Sequence, residues 1–442
     1  MILGLLTGIT VTLLTGYFAV SVIEREMALR FRILFSIPLG FGIGSVLYFL
    51  CLVLNLPSFQ YYWILECIIT MVLALFYYNE EKPDFSKHKF YKLSNWFYVL
   101  NVLALTIYLK YFLNNPMGSW DGFRIWNIKA EFLTGFNEDW LNVFMLPHFM
   151  SHNDYPMMLP ASTARLWDYT GGENYLVNLV IGLFFTFGLV YLLYQSVEYF
   201  KSKKVALVVA SVFMMLDIFL VNGASQCADI PLAYMFLSCI VCLFLYFQKQ
   251  KFSYIILATM FATLSALTKN EGMMFLLIYL VVVSVWLLYS QKIKKLLIML
   301  AVLAPMLVGL VLFKKIAHSP NDLIMGFFYL KTYNFVFDLS RYIVITKTFL
   351  SMLFFKFTLL LSLVLICFKG FRLKTKYKTP FMLSVVISAL CVSGYFMVYL
   401  FSPHDIGWLV KNSMDRIILQ ILPVCLLLFS VNLRIGKPDS NN

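Results

Sequence analysis

Residues 272–290 read GMMFLLIYLVVVSVWLLYS, a stretch of 19 residues without one charged side chain. An α-helix of about 20 apolar residues crosses the hydrocarbon core of a bilayer. Similar stretches recur along the 442-residue chain, in which 61% of residues are hydrophobic and only 13% are charged. Soluble proteins carry about 25% charged residues. The recurrence predicts an all-α polytopic membrane protein, because a helix satisfies its own backbone hydrogen bonds within lipid.

About 13 stretches are long and apolar enough to be predicted as spans. They cover residues 2–22, 33–56, 61–78, 95–113, 174–198, 205–222, 230–248, 253–268, 272–290, 296–316, 347–367, 380–401 and 417–433.

The two flanks of the quoted stretch differ in charge. LTKNEG precedes it, whereas Lys292, Lys294 and Lys295 follow it. Across the chain, the loops on the same side as Lys292–Lys295 carry 22 Lys and Arg residues, and the loops on the same side as LTKNEG carry 11. Cytoplasmic loops are enriched in Lys and Arg, so the N-terminus is predicted outside and the C-terminus inside. The net charge of +13 is therefore spread over short loops and does not indicate a nucleic-acid partner.

The predicted outward side holds the residues best suited to chemistry. Most acidic residues and four of the five histidines fall there, together with the two long loops at 114–173 and 317–346. Long ordered loops are often functional. A site on the extracytoplasmic face is therefore expected.

The first long loop opens with NPMGSWDGFRIWNIKAEFL at 115–133. Its periodicity predicts a short helix over 123–133, and Asp121 precedes this helix where a carboxylate can cap an N-terminus. On the predicted helix, Arg124 and Lys129 point to different sides. One interpretation is an interfacial helix with tryptophan anchors and a capping Asp121, and the other is a catalytic carboxylate.

A second outward turn, SHNDYPMMLP at 151–160, carries His152 and Asp154 between an upstream loop and two prolines. Imidazole and carboxylate groups both suit a divalent metal such as Zn²⁺ or Mn²⁺. An aspartate in a turn also stabilises it by hydrogen bonding to the backbone. A metal pair and a structural turn both stay open.

Two more outward turns place charges at the predicted membrane edge. In NGASQCADIPLAY at 222–234, Asp229 stands where a span begins, and capping explains it as well as function does. In LTKNEG, Lys269 and Glu271 share a tight turn, where a local ion pair is one interpretation.

The last outward segment is HDIGWLVKNSMDRIILQILP at 404–423. Ser413 is predicted to cap the final span, which places Arg416 in the first helical turn. A cation in that position opposes the helix dipole. An anionic neighbour is therefore expected beside Arg416, and the phosphate of a lipid or of a ligand would be suitable.

Five segments in this order resemble bacterial members of the GT-C glycosyltransferase superfamily: WDGFRIWNIKAEFL, HNDYP, CADIPLA, LTKNEG and WLVKNSMDR. The resemblance is to the dolichyl-phosphate-mannose-protein mannosyltransferase-like branch and covers about residues 95–430. It implies a GT-C-like membrane fold with short interfacial helices in the outward loops. It also implies three parts: an N-terminal three-helix extension at 1–94, a catalytic membrane module at 95–316, and the outward loop with the C-terminal helices at 317–442.

The resemblance implies an integral protein of the cell (inner) membrane that uses a polyprenyl-phosphate sugar donor and a glycan, lipid or protein acceptor. The essential Asp in the family's first long outward loop matches Asp121, the candidate general base. One base without a second carboxylate nucleophile predicts direct displacement with inversion. The candidate ligands of the donor phosphate are Lys129 first, then Lys269, Arg416 and Arg124. The candidates for acceptor orientation or for an optional divalent metal are His152, Asp154, Asp229 and Glu271.

Three alternatives remain. A transporter or lipid flippase would carry ionisable residues through the depth of its spans, whereas here most lie near span ends. A lipid-linked polysaccharide polymerase or ligase shares the donor and the outward site but would use a large late loop. A non-catalytic scaffold has no need for a carboxylate beside paired tryptophans in an outward loop.

Overall fold

The apolar stretches fold as helices in the computed structural model, which describes residues 1–79, 95–136, 138–147, 151–319, 321–355 and 374–433. The α-helices are Ile2–Ile23 (α1), Leu29–Val53 (α2), Phe59–Tyr78 (α3), Asn95–Asn114 (α4), Ile128–Leu133 (α5), Met158–Thr170 (α6), Tyr175–Phe200 (α7), Lys203–Met214 (α8), Asp217–Ala224 (α9), Asp229–Lys249 (α10), Ser253–Ala266 (α11), Asn270–Tyr289 (α12), Ile293–Ala317 (α13), Asp322–Tyr329 (α14), Leu339–Phe355 (α15), Lys378–Phe401 (α16) and Ile406–Asn432 (α17). A π-helix covers Gly122–Asn127, and 3₁₀-helices cover Thr134–Phe136, Glu138–Met145, Thr332–Phe337 and Thr375–Tyr377.

The described helices confirm an all-α multi-pass membrane protein. Ten of them are long and apolar enough to cross a membrane. The α8–α9 pair, bent by 62°, adds an eleventh if it forms one broken span, whereas α11 has only 14 residues. The predicted span at 347–367 begins in α15, and its second half lies outside the described residues. The number 13 and the predicted orientation stay predictions.

The innermost helix is α10. Its side chains are apolar on all sides, and those from Asp229 to Tyr246 are all buried. A helix that is apolar all round lies within protein or within lipid, and α10 lies within protein, packed against α7, α11 and α17. In contrast, α3 and α4 expose most of their apolar side chains at the periphery. The central helix therefore holds Asp229, its first residue, deep in the bundle.

The loop at 114–173, which is predicted to face outward, contains a helix, α6, that is packed inside the bundle. Every side chain from Met158 to Trp167 is buried, and the helix packs against α1, α2, α5 and α7. The approach to α1 is close enough to require Gly4, because a Cβ atom there would collide with the backbone carbonyl of Tyr169. The first three helices thus share one core with the loop that follows α4. The proposed division at residue 94 stays a prediction.

A buried ion pair joins α6 to α3. Arg165 donates to a carboxylate oxygen of Glu66, and both side chains are almost completely enclosed. The Tyr169 hydroxyl donates to the second Glu66 oxygen over 2.7 Å, and Arg165 also donates to the Thr12 hydroxyl of α1. Isolated charges are costly at this depth, so the hydrogen-bonded pair holds three helices in one arrangement.

Two predicted helix caps are wrong. The last helix begins at Ile406, where the Asp405 carboxylate accepts from the Trp408 N–H over 2.7 Å, and Ser413 lies inside the helix. Arg416 is therefore about three turns from the N-terminus rather than in the first turn. Asp121 has helical backbone angles, and its side chain makes no capping hydrogen bond.

Candidate active site

Five charged side chains from four predicted outward segments meet in the structure. We call Asp121, Asp229, Lys269, Glu271 and Arg416 the charged cluster. Arg416 donates through Nη1 to Oδ2 of Asp121. The Lys269 ammonium lies 3.2 Å from Oδ1 of Asp229 and 2.9 Å from Oε1 of Glu271. Charged groups that are far apart in the sequence are thus within ion-pair distance.

Exposure varies across the charged cluster. The side chain of Asp229 is 1% exposed, whereas those of Asp121 and Arg416 are 27% and 25% exposed. Asp229 is also held by Gln420, which lies one helical turn after Arg416 and donates to Oδ1 over 2.6 Å. Asp229 is therefore an internal counter-ion, while Asp121 and Arg416 form the accessible edge.

Lys269 stays a cation in this setting. Burial alone would lower its pKa, but the neighbouring carboxylates of Asp229 and Glu271 outweigh burial and raise the pKa well above its usual value. A buried ammonium that keeps its charge is suited to stabilising a bound anion. The predicted local pair of Lys269 and Glu271 is present, and Asp229 extends it across the bundle.

The position of Asp121 depends on a close backbone contact between two loops. The Ser119 N–H donates to the Ser225 carbonyl over 3.1 Å. A Cβ atom at Gly122 would collide with that carbonyl, so glycine is required next to Asp121. The chain then continues as a π-helix instead of the predicted α-helix. Single π-turns are frequent at functional sites.

A network of side-chain amide hydrogen bonds anchors the π-helix to the turn that contains Ser225. The Asn127 side chain donates to Oε1 of Gln226 over 2.7 Å, and Asn178 of α7 donates to the same oxygen over 2.9 Å. Gln226 in turn donates to the Pro116 carbonyl over 2.8 Å. The loop that carries Asp121 is thereby locked to the turn before α10.

Cys227 lies behind Arg416, with its sulfur 3.9 Å from Nη1. Burial raises the pKa of this thiol to about 11, so it is a neutral packing group and not a nucleophile. A cavity of about 40 Å³ adjoins it, and its polar lining includes Asn127, Thr163, Asn178 and Gln226. The cavity has room for about three water molecules and is too small for a substrate.

A second polar cluster lies next to the first. We call Asp154, Asn270, Lys314 and Asn321 the amide cluster. Asn270 and Asn321 both donate through Nδ2 to Oδ2 of Asp154, the second over 3.0 Å. Lys314 donates to the Asp154 backbone carbonyl and lies 3.4 Å from Oδ1 of Asn270. Three of these residues are partly exposed, while the Asp154 side chain is buried.

The predicted metal pair does not gain a third ligand. The Asp154 carboxylate is bound by two amides, and the His152 ring stacks on Tyr155 with centroids 5.0 Å apart. In the parts of the chain that the structure describes, no three His, Cys, Asp or Glu residues are grouped as metal ligands would be. His152 has a positive φ of 44°, which is typical of a tight turn.

Lys129 lies outside the charged cluster. Its side chain is completely buried, and Nζ donates to the His152 carbonyl over 2.8 Å. Trp126 and Tyr155 stack with centroids 5.6 Å apart. Lys129 lies 6.0 Å from the Trp126 ring and Lys269 lies 5.8 Å from the Tyr155 ring. The first-ranked phosphate candidate therefore binds the His152 carbonyl, and among the described residues it forms no ion pair with the charged cluster.

Arg124 also stays apart. Its guanidinium lies 5.5 Å from the Phe123 ring, and it is partly exposed. Among the described residues it forms no ion pair with the charged cluster. The helical wheel predicted that Arg124 and Lys129 point to different sides. In the structure Arg124 is partly exposed and Lys129 is buried.

The burial of Lys129 leads to a pH-dependent prediction. Burial lowers the pKa of Lys129 to about 7, whereas the unfolded chain keeps a value near 10.5. Between these values the unfolded state binds one proton more, so the stability of the wild type should rise with pH. From pH 7 to pH 9, wild type should gain about 2–3 kcal/mol relative to Lys129→Met. Thermal unfolding in detergent at both pH values measures this, and parallel pH profiles would contradict it.

Several site residues were missed from the sequence alone. Gln420, Asn270, Asn321 and Lys314 complete the two clusters through side-chain contacts. Gln420 carried a usable signal, because an amide four residues after Arg416 interrupts an otherwise apolar stretch on the same helix face. Asn321 and Lys314 carried none, since their roles depend on where α13 and the chain after it pack.

Comparison with protein-family models, with curated proteins and with solved structures finds no match to this chain. Function is therefore inferred from the residues and their geometry.

Proposed function

We propose that this protein is an integral-membrane glycosyltransferase that moves a sugar from a polyprenyl-phosphate donor to an acceptor hydroxyl on the extracytoplasmic side. The observation that carries the proposal is the charged cluster: a partly exposed carboxylate, Asp121, paired with Arg416 beside a second cation, Lys269. The ordered resemblance of five sequence segments to the GT-C superfamily supports the same assignment.

The residue types suit this reaction. The acceptor oxygen attacks the anomeric carbon while the bond between that carbon and the phosphate oxygen breaks. Asp121 accepts the proton of the acceptor hydroxyl, which is a poor nucleophile without a base. Arg416 and Lys269 stabilise the charge that develops on the departing lipid phosphate. One displacement inverts the configuration at the anomeric carbon.

The charge balance of the cluster explains how Asp121 becomes available. The cluster contains two cations and three carboxylates, so an additional phosphate must replace a carboxylate on a cation. Asp229 is buried and held by both Lys269 and Gln420. Asp121 is more exposed, and it pairs with Arg416 at the edge. The phosphate therefore exchanges with Asp121 on Arg416 and leaves that carboxylate free to act as base.

The distribution of charge along the helices supports an extracytoplasmic site. Asp229 begins α10, and Lys249 ends it. Glu271 lies in the first turn of α12, whose opposite end leads to Lys292. Asp229, Lys269 and Glu271 thus lie at the helix ends opposite the Lys-rich loops, and the positive-inside rule assigns those loops to the cytoplasmic side. This is the arrangement expected of a transferase in the cell membrane.

Arg416→Gln should weaken the binding of geranylgeranyl phosphate by about 100-fold, because removing one partner of a hydrogen-bonded charge pair costs about 2–5 kcal/mol. Binding is measured with purified protein in lipid nanodiscs. Lys411→Gln is the matched control, since Lys411 is an exposed cation on the same helix. Equal affinities of the two variants would remove Arg416 from the donor site.

A further inference from the structure

The two polar clusters share one turn of the chain. Asn270 of the amide cluster stands between Lys269 and Glu271 of the charged cluster, so a ligand on Lys269 is adjacent to Asn270. We propose that the amide cluster binds the sugar ring of the lipid-linked donor and determines which sugar is transferred. This assignment rests on the proposed function for the identity of the donor.

The residue types of the amide cluster suit a polyhydroxylated ring. Each sugar hydroxyl both donates and accepts hydrogen bonds, and a carboxamide such as Asn270 or Asn321 does both as well. Asp154 contributes acceptor oxygens, and Lys314 contributes donors. A sugar that lacks a hydroxyl leaves a buried polar group of the site without its hydrogen bond, and this costs binding free energy. Such a site therefore discriminates strongly between sugars.

The charge of the amide cluster favours a neutral ligand over a second phosphate. Asp154 and Lys314 balance each other within the cluster. Lys129 approaches from behind, and burial lowers its pKa to about 7, so it adds only part of a charge at neutral pH. In contrast, Arg416 of the charged cluster is a full cation, which the phosphate takes over from Asp121. The phosphate and the sugar of one donor thus have separate neighbouring subsites.

The amide cluster can open at one side. Asn321 belongs to the loop after α13. The helix is followed by His318, which has the left-handed conformation with φ of 45°. The hydrogen bond of Asn321 to Asp154 brings this loop against the cluster. Rotation of the Asn321 side chain lets a sugar hydroxyl replace its amide on Oδ2 of Asp154. Asn321 then hydrogen-bonds the ring from its outer side.

The test compares lipids with and without a sugar, using the full protein in nanodiscs. The probes are geranylgeranyl phosphate and its phosphomannose, phosphoglucose, phosphogalactose and phosphoarabinose derivatives. Wild type should bind at least one derivative tenfold or more tightly than the bare phosphate. Asn321→Ala and Asn270→Ala should each remove this preference and leave affinity for the bare phosphate within twofold of wild type.

Asn412→Ala is the matched control, because Asn412 is an exposed amide on α17. It should keep the preference for the sugar-carrying lipid. The proposal is overturned if wild type binds every derivative no more tightly than the bare phosphate. It is also overturned if Asn321→Ala weakens both classes of lipid equally at an unchanged melting temperature. Failure of the proposed function looks different, since the bare phosphate would then bind Arg416→Gln as well as wild type.

Discussion

Asp121→Asn is expected to lower sugar transfer by about 10²–10⁴-fold, which is the contribution of a positioned general base. The same change should tighten the binding of geranylgeranyl phosphate. In the wild type the phosphate must displace the Asp121 carboxylate from Arg416, and a neutral amide competes less for that guanidinium. Loss of turnover together with gain of affinity is a combination that a purely structural role of Asp121 does not produce.

The transfer readout is the cell-surface glycan profile of a strain that carries the variant, and lipid binding is measured on the purified protein. Glu131→Gln is the matched control, because Glu131 is an exposed carboxylate of the same loop at 114–173. If the Asp121→Asn protein inserts stably and the glycan is unchanged, Asp121 is not the base. If its affinity for the lipid phosphate falls, the exchange on Arg416 is wrong.

Glu66→Gln should destabilise the fold by about 3–5 kcal/mol, because it leaves the Arg165 charge buried without its carboxylate. Arg165→Met should have an effect of similar size for the opposite reason. The thermal unfolding midpoint in detergent measures both. The combined variant with Glu66→Leu and Arg165→Met should recover most of the loss, since replacing both partners of a buried pair by apolar residues is often close to neutral.

The control for this prediction is Arg30→Gln, which removes a partly exposed ion pair with Glu198. Solvent screens this pair more than the fully buried one, so its midpoint should change less than that of Glu66→Gln. If Glu66→Gln resembles Arg30→Gln, the buried pair does not hold α6 between α1 and α3. If the combined variant is worse than either single variant, polar contacts such as that of Arg165 with Thr12 dominate over the ion pair.

The sequence was most informative where a polar group interrupts an apolar pattern. Lys269, Glu271 and Asp229 stand at span ends, and their charges there need partners. Their membership in a single cluster could be anticipated from the side on which they fall. Arg416 was expected to meet an anion for a reason that proved wrong, since its helix begins at Ile406 and not at Ser413. Its partner is nevertheless an anion, Asp121.

Lys129 lies apart from the charged cluster for a specific reason. A helical wheel assigns a side chain to a face, but whether that face is turned towards the site or away from it depends on the neighbouring helices. Here α5 packs against α6, and the Lys129 side chain is enclosed with the His152 carbonyl instead of reaching Arg416. The π-helix before it also rotates the following side chains relative to the positions that a regular period of 3.6 residues predicts.

The burial of α6 was likewise beyond the sequence pattern. Its segment is too short and too polar for a span, so the sequence predicts part of a loop. It nevertheless lies inside the bundle, because Arg165 forms an ion pair with Glu66 and because Gly4 allows close approach of α1. Both partners come from the first three helices, far from α6 in the sequence.

By itself, the sequence determined that the chain is a helical multi-pass membrane protein, because long apolar stretches can satisfy their backbone groups within lipid only as helices. Local composition is sufficient for that result. Only the tertiary structure decided which charges meet: Asp121 with Arg416, which are 295 positions apart, and Asp154 with Asn270 and Asn321. Such pairs depend on the packing of whole helices around α10, and no local period in the sequence encodes that packing.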